Sequence, residues 1–189
     1  MKQQAFLQTK SKHRYSAGGK LRNLKDGRGV RPLSPKKPLH AVFKTHKHML
    51  RSGLRTPQNF ALVNQVIQKY AKKFFVKLEQ FTIQNDHVHF VIRTSKRSNF
   101  QAFFRVVAGQ IAQQMGKLGR LHIPKTHLPK NQQKLWQYRP FTRVVLGFKG
   151  FRVVMNYVRL NEKEARGVIP YRKNRTRGLS QDEWEALWV

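Results

Sequence analysis

Seven stretches of regular apolar periodicity follow one another as strand, helix, strand, strand, helix, strand, helix, and this order limits the fold more than any other property of the chain. The first strand is Leu39 to Thr45 (LHAVFKT), with a turn near Ser52-Gly53. Thr56 is placed to cap a helix with Pro57 at its first position. That helix runs to about Lys73, with Phe60, Val63, Ile67, Tyr70 and Phe74 at helical spacing. Phe75 to Ile83 reads as a second strand. A third, Asn85 to Ile92, follows across the short Gln84-Asn85-Asp86 connection of a hairpin. Ser98 caps a second helix to about Met115, with the stripe Phe100, Phe103, Phe104, Val107, Ile111 and Met115. A loop rich in Gly, Pro and Lys over 116–134 leads to a last strand, Trp136 to Leu146, irregular at Pro140. Gly147 and Gly150 then bracket the entry to a third helix, roughly Phe151 to Glu164.

The order predicts an α+β fold: a ferredoxin-like βαββαβ antiparallel sheet, two helices on one face, and an added C-terminal helix. In that strand order the first and third strands are central neighbours. Side chains alternate along a strand, so His87 and His89 share one face while Val88, Phe90 and Ile92 share the other. The apolar face suits burial under the first two helices, and the third helix can cover the histidine face. Two imidazoles side by side suit two ligands of one divalent metal. They equally suit strand histidines hydrogen-bonded in a core. A second His-x-His, His46-Lys47-His48, has a lysine between the rings and reads as a solvated strand end.

Charge narrows the partners. Thirty-nine Lys and Arg face eight Asp and Glu, a formal net charge of +31, which points to a polyanion and foremost to nucleic acid. No apolar run is long enough to span a bilayer and no signal peptide is evident, so no membrane role and an intracellular, soluble protein are expected. Without cysteine, disulfides, thiolate zinc sites and a cysteine nucleophile are excluded. Only Asp26, Glu79 and Asp86 precede residue 162, too few carboxylates for a two-metal nuclease. A single metal held by imidazole and amide fits this inventory.

Residues 1–37 carry eleven Lys/Arg against Asp26 and read as a basic flexible extension, able to lie along a phosphate backbone or simply to solubilise. Residues 38–168 form the domain. The tail 169–189 is basic and ends in a short amphipathic helix, with Ser180 and Glu183 spaced for a capping box and Trp184, Leu187 and Trp188 on one face. That helix docks on the protein's own core or serves as a partner-binding or DNA-facing tail.

Tyr157 and Asn161 lie four apart, on one face of the third helix. Alone, Tyr157 is a packing aromatic. With Asn85-Asp86-His87-Val88-His89, Arg139-Pro140-Phe141-Thr142-Arg143, Tyr157-Val158-Arg159-Leu160-Asn161 and Ala165-Arg166-Gly167 in this order, residues 38–168 resemble the single-tyrosine HUH transposases, most closely the REP-associated tyrosine transposases. The resemblance implies cleavage and rejoining of hairpin-bearing single-stranded DNA through a 5′-phosphotyrosine at Tyr157. It implies Mg²⁺ or Mn²⁺ on His87, His89 and Asn161, and a bacterial, cytoplasmic, nucleoid-associated enzyme. Many relatives have Gln at the third ligand position, or Asn followed by Pro; here Glu162 follows Asn161, so His40 or His46 is an alternative ligand. Asp86 can accept an imidazole N–H.

Arg93, Arg139, Arg143, Arg152 and Arg159 are candidate phosphate contacts, and Trp136, Tyr138 and Phe141 candidate stacking partners for unpaired bases. Two other readings stand beside the transposase: a domesticated hairpin DNA- or RNA-binding protein without cleavage, and an unrelated basic RNA-binding protein. The sequence leaves monomer and homodimer open.

Overall fold

The computed structural model describes residues 15–19, 31–122, 129 and 132–170. The elements are β1 (Ser16–Ala17), β2 (Leu39–Lys44), a 3₁₀ turn (Lys47–Met49), α1 (Pro57–Lys73), β3 (Lys77–Ile83), β4 (His87–Arg93), α2 (Arg97–Lys117), β5 (Phe141–Val144) and α3 (Gly147–Ala165). All neighbouring strands are antiparallel, in the order β1-β5-β2-β4-β3. The expected ferredoxin-like sheet is therefore present, with β2 and β4 paired at its centre and β1 added outside β5.

One face builds the core. Leu39, Ala41 and Phe43 of β2 and Val88, Phe90 and Ile92 of β4 are buried with Leu62, Val63, Val66 and Ile67 of α1 and all six stripe residues of α2. Phe43 stands at the centre, its ring 5.2 Å from Phe90, 5.7 Å from Phe104 and 5.5 Å from Trp136, edge-on to each. Phe60, Tyr70 and Phe74 lie at the core margin rather than in it.

Several local expectations shift. Thr56 precedes Pro57 as expected, but its hydroxyl donates to the Gly53 carbonyl and does not cap the helix. The second helix starts at Arg97, with Lys96 rather than Ser98 at its N-cap. Phe75 does not begin β3: it takes φ 52° and is 81% exposed, turning the chain out of α1. The continuous strand over Trp136–Leu146 shortens to Phe141–Val144, because Pro140 brings no N–H to a ladder. Trp136 instead makes an isolated bridge with Thr45, and its indole donates to the Ala108 carbonyl at 2.9 Å. Helix α3 starts at Gly147 rather than near Phe151.

Parts of the basic segment before residue 38 are folded on the domain. Ser16 and Ala17 pair with Arg143 and Thr142, Leu33 is buried, and the Arg97 guanidinium donates to the Arg31 and Leu33 carbonyls. Gly18 holds this corner at φ 82°; a Cβ there would lie 2.1 Å from the Pro140 carbonyl oxygen. The amphipathic tail after residue 170 lies outside the described residues. Helix α3 crosses the opposite face of the sheet, packed chiefly on β3 and β4. Among the described residues, no helix is long and apolar enough to cross a membrane.

Candidate active site

The pleat of β4 puts His87 and His89 under α3, on the face away from the core. Antiparallel register then sets β2 beside them: Lys44 opposite His87 and Val42 opposite His89. His40, one alternation further along β2, belongs to the same face. The rings of His87 and His89 are 4.7 Å apart and nearly perpendicular.

Each histidine is held through Nδ1. His87 Nδ1 is 2.6 Å from Asp86 Oδ1, and Lys47 stands 3.9 Å from the same carboxylate. Burial pushes the Asp86 carboxyl up, but the His87 hydrogen bond and the His87, Lys44 and Lys47 charges outweigh it, and its pKa falls below the ordinary value. His89, almost wholly buried, has Nδ1 3.2 Å from His40 Nε2, the two rings stacked 5.4 Å apart. Burial, followed by the nearby Arg143 charge, lowers the His40 pKa to about 4, so this imidazole is neutral at physiological pH.

Helix α3 brings Tyr157 onto this cluster. Its ring meets His89 edge-on at 5.5 Å and His40 edge-on at 6.2 Å. Asn161, one turn on, is buried; its amide donates to the Tyr157 carbonyl at 2.7 Å, and its own carbonyl accepts from Gln84 at 2.7 Å. Thus Tyr157, His87, His89 and His40 come together from three elements, with Asn161 buried in the same helix as the tyrosine. His46 is not among them: it lies against His48, 5.0 Å away, beside the 3₁₀ turn. Among the described residues, no three His, Cys, Asp or Glu side chains form a metal-binding group. The side chains that meet on this face are imidazoles, which suit a single divalent ion rather than a carboxylate cluster.

The arginines divide. Arg143 of β5 is exposed and pairs across the strands with His40, and Arg139 is exposed in the preceding turn. Arg152 lies exposed on α3, its guanidinium 5.9 Å from the Phe148 ring, and Arg159 is half-buried. Arg93 sits at the far end of β4, roughly 20 Å from His87 along the strand. It pairs with Glu79 at 3.0 Å and stacks over Phe151.

Sequence reasoning missed the group that fixes α3. Glu162 accepts hydrogen bonds from Arg55 at 3.2 and 3.0 Å, from Thr82 at 2.5 Å and from Arg166 at 3.1 Å. Burial raises its carboxyl; the Arg55 and Thr82 hydrogen bonds and the Arg55 and Arg166 charges more than reverse this, leaving the pKa lowered. The available signal was an acid directly after Asn161 in a chain almost without acids.

The IS200-like transposase family matches residues 39–161, a span that runs from β2 to the last turn of the tyrosine helix. The chain belongs to this family. The transposase also shares its fold with a solved REP-associated tyrosine transposase bound to a REP hairpin: TM-score 0.57, 16% identity, 76% of each chain covered. A candidate transposase from Deinococcus radiodurans is a more distant likeness, with TM-score 0.44, 18% identity, and 73% of this chain and 97% of that one covered. No curated protein matches the sequence.

Proposed function

We propose that this transposase cuts and rejoins single-stranded DNA beside a hairpin, with Tyr157 as nucleophile. The observation that carries the reading is the packing of the Tyr157 ring against His89 and His40, which joins the family's tyrosine to the histidine pair across the sheet. The Tyr157 phenol attacks a phosphodiester phosphorus. The bond from phosphorus to the 3′ oxygen breaks, a 5′-phosphotyrosine forms, the phenolic proton leaves, and the 3′ oxygen takes up a proton. Attack by a 3′-hydroxyl on the phosphotyrosine reverses the step and joins strands. A phenol of pKa about 10 must be activated to attack, yet leaves readily enough for this reversal.

His87 and His89 would hold the divalent ion, Mg²⁺ or Mn²⁺, with the Asn161 amide as third ligand. When bound there, it supplies positive charge that polarises the scissile phosphate. Asp86 accepts the Nδ1 proton of His87, and neutral His40 can accept that of His89 through Nε2. With Nδ1 of each ring so engaged, Nε2 would be left to hold the ion. Exposed Arg143, opposite His40 on β5, and exposed Arg139 in the preceding turn bring positive charge to this face for the phosphate backbone, while Arg152 and Arg159 lie on the side of α3 turned away from Tyr157. A hairpin is the natural substrate by analogy with the neighbour that binds one.

The test is incubation of single-stranded hairpin DNA with Mg²⁺ or Mn²⁺, read on a denaturing protein gel. A slower-moving covalent adduct should form, vanish with EDTA, and vanish with Tyr157→Phe while hairpin binding persists. Tight binding with no adduct across a varied hairpin pool would replace the cutting enzyme by a non-cutting binder.

A further inference from the structure

Helix α3 lies chiefly over β3 and β4, and beside it the same face of the sheet opens into a pocket of about 300 Å³. Its walls are Val42 and Lys44 of β2, Phe141 of β5, Tyr138 and Arg139 of the preceding turn, and Gly19 beyond β1. The register ties this pocket to the catalytic cluster. Val42 is the cross-strand partner of both His89 and Phe141, and Lys44 is the partner of His87. The Phe141 ring also meets His40 edge-on at 6.3 Å. Strand spacing therefore puts the pocket about 5–10 Å from the histidine pair. At Gly19, with φ 56°, a Cβ would lie 3.3 Å from the Phe141 Cβ, so a larger residue there would crowd the wall.

The chemistry is that of a single-strand site: two aromatic rings, an aliphatic floor, and cations at the rim. Aromatic faces take any unpaired base by stacking, while Lys44 and Arg139 can neutralise the attached phosphate. The volume stands at the lower end for small-ligand pockets, as one flat base requires. We propose that this pocket receives an unpaired nucleobase of the DNA strand next to the cleaved phosphate, an inference that rests on the single-stranded DNA reading above. Trp136, the third aromatic of the segment, is occupied in the core and takes no part.

The experiment measures affinity by fluorescence anisotropy in EDTA, which prevents cutting, for hairpin DNA with a single-stranded tail. The tail carries an abasic site at each position in turn. One position should weaken binding about 10-fold when its base is removed. Tyr138→Ala should weaken binding of the intact probe by a similar factor and flatten the abasic profile; Tyr138→Phe, which keeps the ring, should restore it. Val42→Phe narrows the pocket from the strand side and should give the same loss should Tyr138→Ala not fold. Tight binding with a flat profile in the native protein, or an unchanged profile in both pocket variants, overturns the pocket while leaving the DNA reading intact. No binding to any tailed hairpin overturns both.

Discussion

Removing the Glu162 carboxylate tests how the tyrosine helix is fixed to the sheet. In Glu162→Ala, Arg55 loses both its bonds to the carboxylate and keeps only the Ile83 carbonyl, at 2.7 Å. Thr82 loses its acceptor at 2.5 Å. The side chains of Arg55 and Glu162 are 18% and 21% exposed, so this pair is far better shielded than a surface ion pair worth ~0–1 kcal/mol. It is still less costly to break than a fully buried one at ~3–5 kcal/mol. With charged hydrogen bonds at ~1.5–3 kcal/mol each and water partly replacing them, we expect a loss of ~2–3 kcal/mol. In a chain of this size that lowers Tm by roughly 5–10 °C. Denaturant unfolding followed by tryptophan fluorescence should show it, and a double-mutant cycle with Arg55→Ala should return a coupling of ~1–2 kcal/mol. The pH sign is fixed by the lowered carboxyl pKa: the contribution is complete above the unfolded value near 4.5 and lost as pH falls through the folded one. Glu162→Gln should therefore flatten the loss of stability below that pH. Because Tyr157 precedes Glu162 in the same helix, the adduct should also form more slowly, with hairpin affinity little changed. A destabilisation below about 0.5 kcal/mol together with zero coupling to Arg55 would refute the clamp.

Two further outcomes follow from the geometry. His87→Ala should abolish stimulation of adduct formation by Mg²⁺ or Mn²⁺ while circular dichroism stays native; undiminished metal-dependent cutting would move the metal elsewhere. Gly18→Val sets a branched side chain at φ 82° against the Pro140 carbonyl, and should cost ~2 kcal/mol or more in chemical denaturation, whereas a change within ~0.5 kcal/mol would mean that the corner readjusts freely.

The fold was legible because its signals are periodic. The α2 stripe and the alternation of β4 carried through residue for residue, since the apolar face of each meets the dense core. Element ends were not legible, because they depend on partners distant in sequence: Thr56 bonds backward to Gly53, and Phe75 turns outward where a strand pattern seemed to begin. The added strand β1 was hidden in a basic, glycine-rich stretch, since a two-residue strand has no period to read. In the site, the grouping of Tyr157 with His87 and His89 was visible from motif order. The His40–His89 bond and the Glu162 clamp depend on strand register and helix placement, which no local pattern encodes.

The two-residue β1 has a consequence for how copies of the chain meet. Paired with Arg143 and Thr142, it occupies the β5 border of the sheet, and it offers little backbone of its own to a newcomer. At the opposite border, Lys77, Glu79 and Arg93 form an ionic string, with contacts of 3.2 and 3.0 Å. Short borders and charged borders both discourage templated strand addition. A second copy of the chain would then find neither border ready to take up one of its strands.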